Sequence, residues 1–140
     1  MRIGLAIGAA ALAALGACGP GKQGAGFSHA PSGAALFAQN CTQCHGAKAD
    51  GNGTMAALIE GGVPDLRGLA ARNAGVFPMG YVLEQVGHVS RSKGHGMPMA
   101  DFGPLLGGAP ISIEADGALV ETTTPVLAIA RYLAGLQGGR

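Results

Sequence analysis

The chain has 140 residues, nine Lys or Arg against eight Asp or Glu, 48% apolar and 4% aromatic residues, and no Trp. A charge so near balance, with no basic run, excludes nucleic acid as a partner and leaves only modest electrostatic steering of others. Without an N-terminal export segment about 120 residues remain, one domain by size, with few aromatics from which to build a core.

The export segment comes first. Arg2 is followed by an uncharged apolar and glycine run from Ile3 to Leu15. It is shorter than the about 17–25 residues that span a bilayer and has the length of a secretory h-region. Leu15-Gly16-Ala17-Cys18 closes it in the manner of a bacterial lipoprotein signal. Residues 1–17 are therefore expected to be removed, with Cys18 taking the lipid anchor. The alternative is ordinary cleavage near Gly16 or Ala17, which leaves Cys18 a stray thiol. Either route places the chain on the periplasmic side of a bacterial inner or outer membrane, and the first tethers it there. The glycine-rich stretch after Cys18 reads as a flexible tether over residues 18–30. The folded domain is expected over residues 31–140.

Ser32 is the expected N-cap of a first helix, on which Gly33, Phe37 and Cys41 recur every four residues. Gly33 would permit another helix to approach closely. That face delivers Cys41-Thr42-Gln43-Cys44-His45, two cysteines with a histidine directly after the second. These are the residues that attach one haem c covalently. Each thiol can add its sulfur and proton across a porphyrin vinyl group, and the following neutral imidazole can serve as an axial iron ligand. The other uses of such a pair fit less well. A closed zinc site needs a second ligand pair, and the chain has no second CxxC and no HxxxH. A redox dithiol expects a βαβ context, and this neighbourhood reads helical. A porphyrin would also supply the large apolar body that the composition lacks, which makes fold and haem depend on each other.

Beyond the motif, Met55 and Met79 read as gap-fillers near the core. His29 falls in the tether and His88 in a helical stretch from Tyr81 to Val89, so neither is expected to bind metal. Asp50-Gly51-Asn52 lacks the later glutamate that a calcium loop requires. Pro110 to Glu121 alternates apolar and polar residues around Asp116-Gly117, a pair suited to a type I′ hairpin turn. The hairpin either covers a haem edge or is a surface excursion, and the second reading is favoured because long connections are cheap. In the last helix Thr124 is the expected cap and Pro125 takes the first helical position. Val126, Ile129, Leu133 and Leu136 form its stripe, and Gly138-Gly139 ends it.

Taken together, Gly33, Phe37, Cys41-x-x-Cys44-His45-Gly46, Ile129 and Tyr132-Leu133 resemble a class I, single-haem bacterial cytochrome c over roughly Ser32 to Gln137. The resemblance implies an all-α fold whose terminal helices pack across one covalent haem c, here with a small β-hairpin before the last helix. It implies electron transfer by Fe(III)/Fe(II) cycling rather than enzymatic turnover, with redox proteins or membrane oxidoreductase complexes as partners. It also makes Pro64, in the loop from Asp50 to Leu66, the residue whose carbonyl accepts the proton on the other nitrogen of His45. Such a bond would fix the ring and raise its basicity. The alternative is that Pro64 merely precedes a short helix capped by Asp65.

For the sixth iron ligand the family commonly uses a methionine in a Met-Pro-x-Phe-Gly setting. Met97 has the adjacent proline, and Met99 keeps the spacing to Phe102. Met97 is the expected ligand, with Met99 and His95 as alternatives. A different function follows if the sixth position is open: the haem would then serve a small-ligand sensor or a peroxide-reacting enzyme.

Overall fold

The computed structural model describes residues 30–87, 99 and 102–138. The expected signal segment, Cys18 and all but the last residue of the tether lie outside them, as do His29, His88, His95 and Met97. Helix α1, Gly33–Asn40, opens on Ser32, whose hydroxyl accepts the Ala35 N–H at 3.2 Å. One residue further on, the single turn α2 spans Thr42–His45. A 3-10 turn at Ala56–Leu58 and another at Leu66–Gly68 lead into α3, Leu69–Arg72. Helix α4, Met79–Gly87, precedes the residues that are not described. Strands β1, Pro110–Ala115, and β2, Ala118–Thr123, form an antiparallel pair that runs straight into α5, Thr124–Gly135. The fold is thus mostly helical with a small two-stranded sheet. Among the described residues no helix is long and apolar enough to cross a membrane.

The core forms where α1, α4 and α5 meet. Phe37, Leu83, Leu106 and Ile129 are its largest fully buried side chains. Helices α1 and α5 are in such close contact that a Cβ on Gly33 would overlap the Ala128 carbonyl, so the expected helix crossing is present. Four residues along α1, the Phe37 ring meets Tyr132 with centroids 5.4 Å apart and planes tilted by 51°. That geometry is favourable for aromatic edges and faces. The stripe on α5 is buried at Val126, Ile129 and Leu133, joined by Leu127 and Ala130.

Three local expectations need correction. Helix α5 begins one residue early: Thr123 is its N-cap and Thr124 its first residue. The Thr123 hydroxyl makes no capping bond; it donates instead to the Leu106 carbonyl at 2.8 Å, 17 residues away. The helix also ends sooner, at Gly135, before the glycines expected to stop it. Met79 does pack against the core, but Met55 is 43% exposed and fills no gap.

The hairpin is more than an excursion. Its turn has the predicted I′ form, with φ of 53° at Asp116 and 78° at Gly117. Ala115 is buried in the core, and Ile111, Ile113 and Val120 pack against it. The Asp116 carboxylate accepts the Gly80 N–H of α4 at 2.8 Å. It thereby supplies from 36 residues away the cap that an N-terminal helix turn needs. Asp116→Ala is expected to lower stability by about 1–2 kcal/mol, from the lost cap and from forcing Ala into a left-handed conformation. Asp116→Gly removes the carboxylate but relaxes the backbone, so its smaller loss isolates the capping share. Urea midpoints of the two variants measure both.

Candidate functional site

The site begins where α1 gives way to α2. The Cys41 N–H still donates to the Phe37 carbonyl at 2.9 Å, and the His45 N–H then donates to the Cys41 carbonyl at 2.9 Å. Helical spacing puts residues three and four apart on one face. Cys41, Cys44 and His45 therefore share a face, and both thiols are free and partly buried. Burial first, and the Cys44 thiol second, push the Cys41 thiol up to about 11. A redox dithiol works as a thiolate with a lowered pKa, so this shift runs against that use. Among the described residues no group of three or more His, Cys, Asp or Glu could hold a metal ion.

The turn after His45 is closed by backbone alone. A helix end leaves its last carbonyls without partners, and here each one finds an N–H. Gly46 donates to Thr42 at 2.9 Å, Met55 to Gln43 at 2.8 Å, Gly53 to Cys44 at 3.2 Å and Gly51 to His45 at 2.9 Å. Residues 46–55 thus fold back beneath α2 as a saddle. Gly53 is required there because a Cβ would overlap the Gln43 carbonyl. Nothing in the sequence pattern signals this accounting, because it is made by N–H groups that every non-proline residue carries.

Burial pulls the His45 imidazole below its ordinary value, which favours the neutral ring an iron ligand needs. The Pro64 carbonyl is the second influence and pulls the other way. The buried Nδ1 nevertheless closes no hydrogen bond. Pro64 thus acts on the charge of the ring without a well-aligned bond to that nitrogen. Its neighbour Asp65 also does what the alternative reading expects: it caps the 3-10 turn by accepting the Arg67 N–H at 2.8 Å. The two readings of Pro64-Asp65 are therefore compatible. The Arg67 side chain grips the same carboxylate at 2.9 and 2.7 Å, holding Asp65 down to about 2.

Met99 is partly buried and packs against the core together with Leu66, Leu69, Phe77, Met79 and Phe102. Two clefts, of about 220 and 180 Å³, lie elsewhere, and neither touches Cys41, Cys44 or His45. The residues present fit a covalent haem. They comprise a free thiol pair on one helical face and a half-buried histidine with an orphaned buried nitrogen, whose burial favours the neutral form. Sequence reasoning missed Ala49 and Gln137, which tie this region together over long sequence separations and carry no motif.

Comparison with known proteins is consistent with this geometry. The family model described as Cytochrome c matches residues 30–106, which span α1 to Leu106 and stop short of the hairpin and α5. The match thus covers only part of the Ser32 to Gln137 stretch over which the resemblance is expected. No curated protein and no solved structure matches the chain.

Proposed function

Because the chain belongs to the cytochrome c family, which gives it a haem-binding electron-transfer role, we propose that it is a class I, single-haem carrier held at a bacterial membrane. The observation that carries this reading is the α2 turn. Its two free thiols and a half-buried histidine, whose burial favours the neutral ring, face one way on a turn whose last four carbonyls all accept a backbone N–H. When bound, the haem supplies one-electron Fe(III)/Fe(II) chemistry. Cys41 and Cys44 would hold it through two thioethers, and His45 and Met97 would be the two protein ligands to the iron. The Pro64 carbonyl would accept the His45 ring proton and so help to orient it.

With His45 and Met97 both on the iron, a substrate would have no open site there, which makes the protein a carrier in this reading. Its partners are redox proteins or membrane oxidoreductase complexes on the extracytoplasmic side. Cys18 supplies the lipid that keeps it beside them: diacylation adds about 0.8 kcal/mol per buried methylene, and two chains give stable residence.

One measurement tests the reading as a whole. Protein from detergent-solubilised membranes is denatured in acid and organic solvent and weighed intact. The expected mass is that of a chain starting at Cys18, plus one haem and a diacylglyceryl group. Haem that extracts from the denatured chain would overturn the attachment. An unmodified N-terminus at Ala17 or Gly19 would overturn the anchor and leave a secreted carrier.

A further inference from the structure

We propose that Gln137, just beyond α5, is a positioning residue for the axial histidine: it fixes the segment carrying the Pro64 carbonyl against the saddle that carries His45. The inference rests on the reading of His45 as iron ligand given above.

The Gln137 amide makes three hydrogen bonds. Its Nε2 donates to the Leu133 carbonyl of α5 at 2.7 Å, which seats the side chain on that helix. The same nitrogen donates to the Leu66 carbonyl at 2.9 Å, and Oε1 accepts the Ala70 N–H at 2.9 Å. These last two cross 71 and 67 residues of sequence, so they report the position of the 66–70 segment to the helix that closes the core. Leu66 is gripped on its other side as well, because its N–H donates to the Ala49 carbonyl at 2.8 Å.

Ala49 is fully buried and left-handed, with φ of 57°, inside the saddle. Two residues on, Gly51 donates to the His45 carbonyl at 2.9 Å. A Cβ on Gly51 would meet the backbone of Val63 and lie 3.3 Å from the Pro64 carbonyl carbon. The Val63–Pro64 backbone therefore lies close against Gly51, and the chain just after Pro64 is tied down by the Ala49–Leu66 and Leu66–Gln137 hydrogen bonds. The Pro64 carbonyl acts on the His45 ring, whose Nδ1 is buried and has no hydrogen-bond partner. A buried donor in that state is costly unless an acceptor is kept at hand, and the Gln137 clamp is what keeps Pro64 there. An imidazole whose N–H is polarised by a carbonyl is the more basic ligand.

The test uses the intact holoprotein and the variant Gln137→Met, which keeps the length of the side chain and removes its donors and acceptor. Thr123→Val, which removes a different tertiary bond, to Leu106, is the comparison. Two readouts are taken: the exchange rate of the hyperfine-shifted His45 ring N–H by nuclear magnetic resonance, and the reduction potential. In Gln137→Met the exchange should rise roughly three- to tenfold, the ratio one net hydrogen bond supports, and the potential should rise because a less basic ligand stabilises ferric iron less. Thr123→Val should change neither while still lowering thermal stability. If Gln137→Met loses only stability, with both readouts at wild-type values, the clamp is structural and the inference is overturned. Should Gln137→Met not hold its haem, Gln137→Glu keeps the acceptor for Ala70 and loses the donors. It must then show the faster exchange, and a wild-type rate overturns the proposal. If the wild type itself shows no shifted ring N–H, His45 is not the ligand, and the reading falls together with the inference.

Discussion

Replacing both Cys41 and Cys44 by alanine is expected to yield a chain that neither retains haem through denaturation nor keeps its native packing. The reason lies in the composition of the core. Among the described residues its 13 buried apolar members include one aromatic, Phe37, and otherwise consist of Leu, Val, Ile and Ala. Leu66, Leu69, Phe77, Met79, Met99 and Phe102 are only partly buried against it. Without a large apolar group to cover them, each leaves surface in water at a cost of about 25 cal/mol per Å². Several such side chains amount to several kcal/mol, a large share of the about 5–15 kcal/mol that holds a typical domain together. A covalently bound group also acts as a ligand that never dissociates, so losing the thioethers turns permanent stabilisation into one that depends on free haem. The single variants keep one thioether and should fall between the extremes. Circular dichroism melts, with chromophore retention after acid–organic extraction, measure both effects. A haem-free double variant that melts cooperatively near the wild-type temperature would show that fold and haem are independent.

Where the chemistry is carried by neighbours in sequence, it could be read directly. Cys41, Cys44 and His45 reach one face because helical spacing puts them there, and the Asp116-Gly117 pair dictates its own turn. The crossing of α1 and α5 was likewise written in Gly33 and the α5 stripe. What could not be read joins distant segments through groups that have no pattern. Nothing marks the Asp116 carboxylate as the cap of Gly80, or the Gln137 amide as partner to Leu66 and Ala70, until the backbone brings 36 to 71 residues together. Thr124 as a cap failed for a related reason. Thr123 is claimed by the Leu106 carbonyl, and strand β2 runs to the helix without a loop, so the boundary follows tertiary contact and not capping preference. Met55 shows the limit of composition: a methionine suits a core gap, but the saddle turns residue 55 outward because its N–H is needed by Gln43.

Met97→His is expected to lower the reduction potential markedly while leaving the iron low-spin and six-coordinate. A thioether is a soft, neutral ligand that favours ferrous iron, whereas a second imidazole favours ferric iron. Axial ligands set haem potentials over about 0.8 V, and this exchange should use a sizeable part of that span. Met97→Ala should instead open the sixth position and admit carbon monoxide, which a wild type with Met97 on the iron should exclude. Met99 provides the internal comparison. Its side chain is partly buried against the core, so Met99→Ala should cost stability through lost packing and leave the ferric methionine-to-iron absorption band in place. The reverse pattern, with the band lost in Met99→Ala and kept in Met97→Ala, transfers the ligand role to Met99 and preserves the carrier function. A wild type that has no such band and already binds carbon monoxide removes the argument for a filled site. In that case Cys41, Cys44 and His45 would still hold the haem, but the open sixth position would make the protein a small-ligand sensor or a peroxide-reacting enzyme.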